Sequence, residues 1–271
     1  MTERPSVALI GAGAMGGALL KGWLASGTID AASSTVFEPA ADKAIKKLAR
    51  EHDFALNPSP ADVTADALIL AVKPQAAASA LPAYAPIARS AIVISVMAGT
   101  GLATIARALG HPPRTARAMP NLAARIGAGV TGLFAPPTLN ASGRDLVDRL
   151  MAAAGETVWV DTERAIDFVT AVSGSGPAYF FLLTEALAEA GAALGLDKDS
   201  ARRLARATAI GAGALLASDA RSPADIRKSV TSPAGTTAAA LEILDGDEKA
   251  LRALMKEAVA AAAQRAAELS G

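Results

Sequence analysis

The sequence predicts an α/β fold class, with a doubly wound parallel sheet in residues 1–163 followed by an all-α domain in residues 164–271. Three observations predict this fold. Strand and helix patterns alternate as far as Val160, a glycine-rich turn follows the first strand, and strand patterns stop after Asp161. With 271 residues the chain exceeds the size at which one hydrophobic core usually stops growing, so two domains are expected.

Short apolar runs predict the strands of the first domain, because strands inside a parallel sheet are buried on both faces. The clearest run is Ala67–Val72, which ends at Lys73 and Pro74. The predicted strands are Val7–Ile10, Thr35–Phe37, Phe54–Leu56, Ala67–Val72, Ala91–Val96, Arg114–Met119, Val130–Phe134 and Thr157–Val160. Between them, helices are predicted at Met15–Ser26, Ala41–Glu51, Leu102–Leu109 and Ser142–Ala154.

The second domain is predicted to contain helices alone, at Pro177–Leu194, Ser200–Ser218, Pro223–Val230, Thr237–Leu244 and Glu248–Leu269. Ser222 is a suitable N-cap and Pro223 a suitable first residue for the third of these helices. Small residues lie on several helix faces and permit close helix packing, but so few helices make a thin domain. Burial in a dimerisation interface would cover these faces; a tightly packed monomeric bundle is the alternative.

Composition excludes several classes of function. Lys and Arg together number 26, as do Asp and Glu, so no basic field is available to bind nucleic acid. The absence of cysteine excludes disulfides, thiolate metal sites and cysteine nucleophiles, and two histidines in turns make a metal site unexpected. No secretory signal is expected at the N-terminus, and no apolar run approaches the roughly 20 residues that cross a bilayer. We therefore expect a cytoplasmic protein with no membrane partner.

The turn between the first strand and the first helix is the first candidate site. Gly11, Gly13 and Gly16 have the spacing G-x-G-x-x-G. In such a motif one glycine permits the tight turn, one lets the backbone approach a pyrophosphate, and one lets the helix pack closely on the strand. The N-terminus of the helix would then bind the phosphates. An ordinary strand-to-helix turn is the alternative, but the flanking strand and helix favour a dinucleotide-binding Rossmann domain.

The residue that ends the second strand bears on which dinucleotide is bound. Glu38 lies about 20 residues after Gly16, where a carboxylate accepts hydrogen bonds from a free ribose and repels a 2′-phosphate. Glu38 therefore favours NADH. Three lysines on the next helix, Lys43, Lys46 and Lys47, could compensate the charge of a phosphate, so the preference stays open.

Three segments rich in hydroxyl groups, glycine or proline are candidates for substrate binding: Met119–Asn121, Ser173–Pro177 and Thr231–Thr237. The third opens a helix, so the N–H groups of Gly235, Thr236 and Thr237 would form a cradle for a carboxylate. The two threonine hydroxyls could donate to a substrate heteroatom. Each segment also has an explanation without function: Asn121 as a turn residue, Ser173–Pro177 as a flexible connection, and Thr231–Thr237 as a helix cap.

Five motifs follow one another across nearly the full length of the chain: Ile10–Gly16, Ala71–Pro74, Arg117–Asn121, Val172–Tyr179 and Ser232–Thr237. Together they resemble the pyrroline-5-carboxylate reductase family, and the last two motifs are highly specific. The resemblance implies reduction of the cyclic imine 1-pyrroline-5-carboxylate to L-proline with NADPH or NADH, the last step of proline synthesis. It also implies a homodimer with interleaved C-terminal helices, assembled further into a decamer.

The resemblance implies a role for each matching residue. The dinucleotide is expected at Ile10, Gly11, Ala12, Gly13, Ala14, Met15, Gly16, Asn57, Ala71, Val72, Lys73, Pro74, Met97, Ala98 and Gly99, besides Glu38. The substrate pocket is expected at Glu163, Ser229, Thr236 and Thr237, and the motifs add Asn121, Ser173, Ser232 and Gly235. Thr237 is the expected catalytic residue, as the hydrogen-bond partner of the imine nitrogen.

Two departures from the family pattern bear on the pocket. Ala234 replaces the first of two glycines that are usual in the last motif. If the backbone there needs a positive φ, alanine would cost on the order of 1 kcal/mol. The residues Leu122–Arg125 replace the usual Thr-Pro-Ala pattern, so the loop shape after Asn121 is open.

The predicted chemistry fits a chain with no cysteine and only two histidines. Reduction of a C=N bond needs no nucleophile, metal or strong base, because the cofactor supplies the difficult step. The alternatives are a related imine or β-hydroxy-acid reductase of the same architecture, and a non-catalytic nucleotide-binding protein. A β-hydroxy-acid reductase normally needs a lysine at the start of its helical domain, and the chain has none between Lys73 and Lys198.

Overall fold

The computed structural model describes residues 4–247 and 249–270. Within them the chain forms two compact units. The first contains the residues up to Ser175 together with those from Ala262 onward, and the second contains Gly176–Ala261.

The first unit is built on one eight-stranded sheet with the order β3-β2-β1-β4-β5-β6-β7-β8. The strands are β1 Val7–Ile10, β2 Thr35–Phe37, β3 Ala55–Leu56, β4 Ala67–Leu70, β5 Ile92–Ser95, β6 Thr115–Pro120, β7 Gly129–Phe134 and β8 Gly155–Trp159. Each predicted strand is confirmed, with ends that differ by a few residues. The order reverses between β1 and β4, which pair in parallel, and this reversal creates a crevice at the carboxyl edge of the sheet.

The predicted doubly wound sheet is confirmed, and one pair departs from its parallel direction, because β6 and β7 pair antiparallel with Pro120 opposite Thr131. The connection between them holds only the 3-10 turn Leu122–Ile126. A parallel crossover needs a dozen or more residues, usually with a helix, and this connection is too short for one. The same turn gives the unusual segment after Asn121 its shape.

Seven helices in the described residues accompany the sheet: α1 Ala14–Ser26, α2 Lys43–His52, α3 Pro74–Ala80, α4 Ala85–Ala88, α5 Leu102–Leu109, α6 Ala141–Ala152 and α7 Ala165–Val169. Helices α1, α2, α5 and α6 confirm the predictions. The short helices α3, α4 and α7 were not predicted, since they are too brief to show a helical period. The sheet is covered on both faces by apolar clusters, one containing Trp23 and Leu150 and the other Leu70 and Ile105.

The second unit consists of α8 Gly176–Ala193, α9 Lys198–Ser218, α10 Pro223–Ser229, α11 Thr236–Asp245 and most of α12 Ala250–Ser270. These helices confirm the all-α prediction; the predicted start of the last one, Glu248, lies outside the described residues. Among residues 176–261 only Gly176, Ala201 and Ala205 are buried in the part that the structure describes. Large apolar side chains are exposed instead, including Phe180 (67%), Leu182 (66%) and Ile210 (63%). One protomer therefore leaves the faces of these helices uncovered.

The two compact units divide after Ser175, further along the chain than residue 163. Helix α7 packs against β6 and β7, and the π-helical turn Thr170–Gly174 that follows it packs against β6. The end of α12 is also part of the first unit, where Ala266 is buried.

One helical segment, Ala165–Ala193, is long and apolar enough to cross a membrane by length and composition alone. The sequence prediction that no segment reaches this length is therefore wrong. Glycine, serine and proline in the turn Thr170–Gly174 and at the start of α8 conceal the length of the segment in the sequence, whereas the backbone stays helical through them.

Candidate cofactor and substrate sites

The three glycines of the first motif are required for different physical reasons. Gly11 has a φ of +88°, and a Cβ there would lie 2.8 Å from the carbonyl oxygen of Ala71. A Cβ on Gly16 would lie 2.0 Å from the carbonyl oxygen of Gly11, so only glycine lets α1 begin so close to β1. A Cβ on Gly13 would meet nothing within 4 Å. Gly13 therefore faces open space in front of α1, which fits a pyrophosphate that approaches the backbone closely.

The start of α1 presents backbone donors to that space. Gly13 is its N-cap, and no side chain caps the helix. Helix geometry leaves the first N–H groups without a partner in their own helix. The N–H of Ala12 is different, because it donates to Oε2 of Glu38 over 2.9 Å. The N–H of Ala12 is therefore occupied, whereas those of Gly13 and of the first turn of α1 are the candidate donors to an anion.

The carboxylate of Glu38 is fixed beside the glycine turn. Its second oxygen, Oε1, accepts a hydrogen bond from the N–H of Ala40 at 3.2 Å. The side chain of Asn57 holds the Glu38 backbone from the other side, since its Oδ1 accepts the Glu38 N–H at 2.7 Å and its Nδ2 donates to the Glu38 carbonyl at 3.0 Å. Asn57, expected at the cofactor, thus acts on Glu38 in this structure.

Tyr84, which no sequence motif indicated, lies near the carboxylate of Glu38. Its ring packs edge-on against Phe37, with centroids 4.8 Å apart. Burial, with a smaller contribution from the negative charge of Glu38, raises the pKa of the Tyr84 phenol. Helix α3 and the 3-10 turn Leu81–Tyr84 place the tyrosine at the carboxyl edge of the sheet. Its contact with Phe37 is not predicted by any local sequence pattern.

The other expected cofactor segments, Ala71–Pro74 and Met97–Gly99, follow β4 and β5 at the same carboxyl edge of the sheet. Lys73 is the N-cap of α3 and Pro74 is its first residue. The N–H of Met97 donates to Oγ of Ser95 at 3.3 Å. The first unit therefore brings the expected cofactor residues together along the crevice where strand order reverses.

Glu163, expected in the substrate pocket, is engaged within the first unit. Its Oε1 accepts the N–H of Leu102 at 2.6 Å and lies 3.5 Å from the Nη1 atom of Arg117. Arg117, to which the sequence motifs assigned no role of its own, is only 3% exposed. The sequence signal for Arg117 was its charge inside the predicted buried strand Arg114–Met119.

Three further residues expected at the substrate use their side chains locally. Oδ1 of Asn121 accepts the N–H of Val130 at 3.3 Å, in the connection between β6 and β7. The hydroxyl of Ser173 donates to the carbonyl of Val169 at 3.0 Å within the helical segment. The hydroxyl of Ser229 donates to the carbonyl of Ile226 at 2.7 Å. These bonds hold the backbone of each segment in place.

The expected carboxylate cradle lies at the start of α11, in the second unit. Gly235 is the N-cap, but its N–H donates to the carbonyl oxygen of Ser232 at 3.1 Å. The prediction that Gly235 offers a free N–H is therefore wrong, because this N–H closes the turn before the helix. Thr236 and Thr237 occupy the first two helical positions, where no side chain caps the helix, and their N–H groups remain the candidate donors.

The turn before α11 also shows whether the backbone at Ala234 has the positive φ that would strain an alanine. Its φ is +58°, in the left-handed region that favours glycine. A Cβ on Gly235 would lie 2.3 Å from Oγ of Ser232, so a larger residue at the next position would displace the Ser232 side chain. The backbone thus needs a positive φ at the position where this chain carries alanine.

A cavity of about 800 Å³ lies at the amino edge of the sheet, away from these groups. Arg4, Asp66, Arg114 and Arg149 are among its lining residues. All expected cofactor residues of the first unit lie at the opposite edge. Among the described residues, no cluster of three or more His, Cys, Asp or Glu could hold a metal.

Two family models match the chain. One, described as pyrroline-5-carboxylate reductase dimerisation, matches residues 163–269, and the other, described as NADP oxidoreductase, coenzyme F420-dependent, matches residues 6–99. The pyrroline-5-carboxylate reductase of Pseudomonas aeruginosa is 40% identical over 269 residues, which cover 98% of this chain and 97% of the relative. That of Methanosarcina acetivorans is 36% identical over 275 residues and covers 98% of each chain.

Solved structures show the same similarity. A pyrroline-5-carboxylate reductase from Coxiella burnetii superposes with a TM-score of 0.91 at 34% identity, over 99% of this chain and 100% of that chain. The Plasmodium falciparum pyrroline carboxylate reductase with NADP bound superposes with a TM-score of 0.81 over 100% of both chains. At 23% identity the latter similarity concerns the fold alone.

The glycine turn predicts opposite outcomes for two alanine substitutions. Gly13→Ala adds a methyl in open space, so the melting temperature should stay near that of the parent while the Kd for the dinucleotide rises about tenfold. Gly16→Ala places Cβ against the Gly11 carbonyl and should lower the melting temperature by several degrees, since overpacking costs about 1–3 kcal/mol. Thermal unfolding and cofactor titration by fluorescence measure both. A strongly destabilised Gly13→Ala variant would contradict the assignment.

The positive φ of Ala234 predicts a stabilising substitution. Ala234→Gly should raise the free energy of unfolding by up to about 1 kcal/mol, because the strain in the left-handed region exceeds the entropy that glycine adds to the unfolded chain. The matched control is Ala239→Gly in the exposed part of α11, which should lower stability by about 1 kcal/mol. Denaturant unfolding measures both, and equal losses would show that the positive φ carries no strain.

Proposed function

The chain belongs to the pyrroline-5-carboxylate reductase family, and we propose how its residues carry out the reaction of that family, the NAD(P)H-dependent reduction of 1-pyrroline-5-carboxylate to L-proline. The protein is an oxidoreductase of proline biosynthesis. The observation that supports this most strongly is the similarity to curated family members over nearly the whole length of both chains.

The residues of the first unit would bind the nicotinamide cofactor. The space in front of Gly13 receives the pyrophosphate against the first turn of α1. The segments Ala71–Pro74 and Met97–Gly99 line the crevice beside it. When bound, the cofactor supplies the hydride that reduces the C=N bond.

The residues at the start of α11 would bind the substrate. The N–H groups of Thr236 and Thr237 hold the carboxylate at the positive end of the helix. The hydroxyl of Thr237 hydrogen-bonds the imine nitrogen and stabilises it as the bond is reduced. Ser232 shapes the turn through its carbonyl, and Asn121, Ser173 and Ser229 support the segments that carry them.

The exposed apolar faces of the second unit support a homodimer through this dimerisation domain, and the family resemblance is the basis for proposing further assembly into a decamer. Its helices expose phenylalanine, leucine and isoleucine side chains that one protomer leaves uncovered. Contiguous apolar surface of this kind marks a protein interface. We assign the exposed apolar residues of α8 Gly176–Ala193 to subunit contact, and propose a cytoplasmic enzyme.

The position of Glu38 supports a preference for NADH. Two backbone N–H groups hold its carboxylate beside the glycine turn. A 2′-phosphate at the end of β2 would meet this fixed negative charge, whereas a ribose hydroxyl could donate to it. Lys43, Lys46 and Lys47 are exposed on α2, where they can approach a 2′-phosphate, so the two cofactors are compared directly below.

The role of Thr237 is tested with purified protein, 1-pyrroline-5-carboxylate and reduced cofactor. Thr237→Ala should lower kcat about a hundredfold, the usual cost of one donor to the reacting group, and leave the Kd for cofactor within about twofold. Thr237→Ser keeps the hydroxyl and should restore most of the rate. Equal losses in kcat and cofactor affinity would contradict the role, and a parent protein that does not oxidise the cofactor would overturn the proposed function.

The role of Glu38 is tested by kinetics with both cofactors. The parent should have the larger kcat/KM with NADH. Glu38→Gln removes the charge and keeps an acceptor oxygen, so the ratio of kcat/KM for NADPH to that for NADH should rise about tenfold. Glu156→Gln, an exposed position on the edge strand β8, is the control and should leave the ratio unchanged. Faster turnover of the parent with NADPH would refute the preference.

A further inference from the structure

Arg117 is a buried cation to which the proposed reaction assigns no role. It lies within β6, paired with Ser95 of β5 on one side and Phe134 of β7 on the other. Burial lowers the pKa of its guanidinium, and the carboxylates of Glu163 and Asp167 oppose that shift. Burying a charge costs free energy unless the charge is paired, and these two carboxylates supply that pairing.

The partner of Arg117 connects it to the segment between β5 and α5. Oε1 of Glu163 faces the guanidinium and also accepts the N–H of Leu102, the first residue of α5. The loop 97–101 runs from the end of β5 to this point. Its first residue, Met97, is held by the hydroxyl of Ser95. Glu163 therefore anchors the far end of a loop whose near end is anchored on β5.

Arg117 decides where the carboxylate of Glu163 points. Glu163 lies in the connection between β8 and α7, and its side chain is 35% exposed. An exposed glutamate has several rotamers of similar energy and loses rotamer entropy when one is selected. The guanidinium is rigidly placed in the middle of a sheet and 4% exposed. Its charge therefore selects the rotamer that bonds Leu102.

We propose that Arg117 is a positioning residue for the reductase reaction, which acts through Glu163 to hold the loop 97–101 in the shape that receives the cofactor. The inference rests on the proposed function, in which Met97–Gly99 line the cofactor site. Since the glycine turn and Glu38 are untouched by Arg117, most of the cofactor affinity is independent of it. Misplacement of the loop then lowers turnover more than affinity.

The experiment compares Arg117→Met, Arg117→Lys and the control Arg114→Met, which removes an exposed arginine just before the same strand. Arg117→Met should lower kcat roughly ten- to hundredfold, the cost of a misplaced catalytic geometry, with less than about a threefold change in the KM for reduced cofactor. Arg117→Lys keeps the charge and should recover most of kcat, and Arg114→Met should match the parent. Equal losses in the methionine and lysine variants would show a packing role and overturn the proposal.

A double-mutant cycle covers the case in which Arg117→Met does not fold. Glu163→Gln retains an oxygen for the Leu102 N–H but removes the charge that Arg117 faces. If Arg117 acts through Glu163, the double variant Arg117→Gln with Glu163→Gln should be no slower than the slower single variant, because each glutamine removes the charge pair. Losses that multiply would overturn the proposal. A parent protein without activity would instead refute the proposed function, so the two failures are distinguishable.

Discussion

The contact between the backbone of Gly16 and the carbonyl of Gly11 is the constraint on which the first unit depends. It lets α1 begin directly against β1, and the first turn of that helix then faces the crevice beside β4. Glu38 closes the same turn from β2 through its bond to Ala12. A larger side chain at position 16 would push the helix away from the strand and separate the helix donors from the residues that surround them. The cofactor site is thus a property of backbone proximity more than of any side chain.

Much of the fold could be predicted because its signals are local. Apolar runs such as Ala67–Val72 mark buried strands, and the spacing of Gly11, Gly13 and Gly16 marks the nucleotide turn whatever the rest of the chain does. The antiparallel direction of β7 could not be predicted from composition, since it follows from the length of one connection. The ion pair of Glu163 with Arg117 and its hydrogen bond from Leu102 join residues that are far apart in the sequence. Hydrophobic periodicity does not predict such long-range contacts.

In the candidate substrate site, too, local features could be predicted from the sequence and hydrogen-bond partners could not. The run of glycine and threonine at Gly235–Thr237 predicts a helix start from the sequence. The sequence also predicts that Ala234 is strained if the backbone there has a positive φ. Only the folded structure shows that Ala234 has a positive φ and that the N–H of Gly235 donates to the carbonyl of Ser232. Hydrogen-bond partners depend on turn geometry within a fraction of an ångström, which residue types alone do not fix.

The return of α12 to the first unit makes the helical unit an insertion that is tethered at both ends. Ala266 is buried in the first unit, and a Cβ on Gly99 would lie 3.0 Å from the Cβ of Leu269. The chain therefore passes between the units twice, at Ser175 and again at Ala262. Two tethers restrict the freedom of the inserted helices in the unfolded and partly folded chain, as loop closure does. A single proteolytic cut at one crossing would leave the units joined covalently by the other.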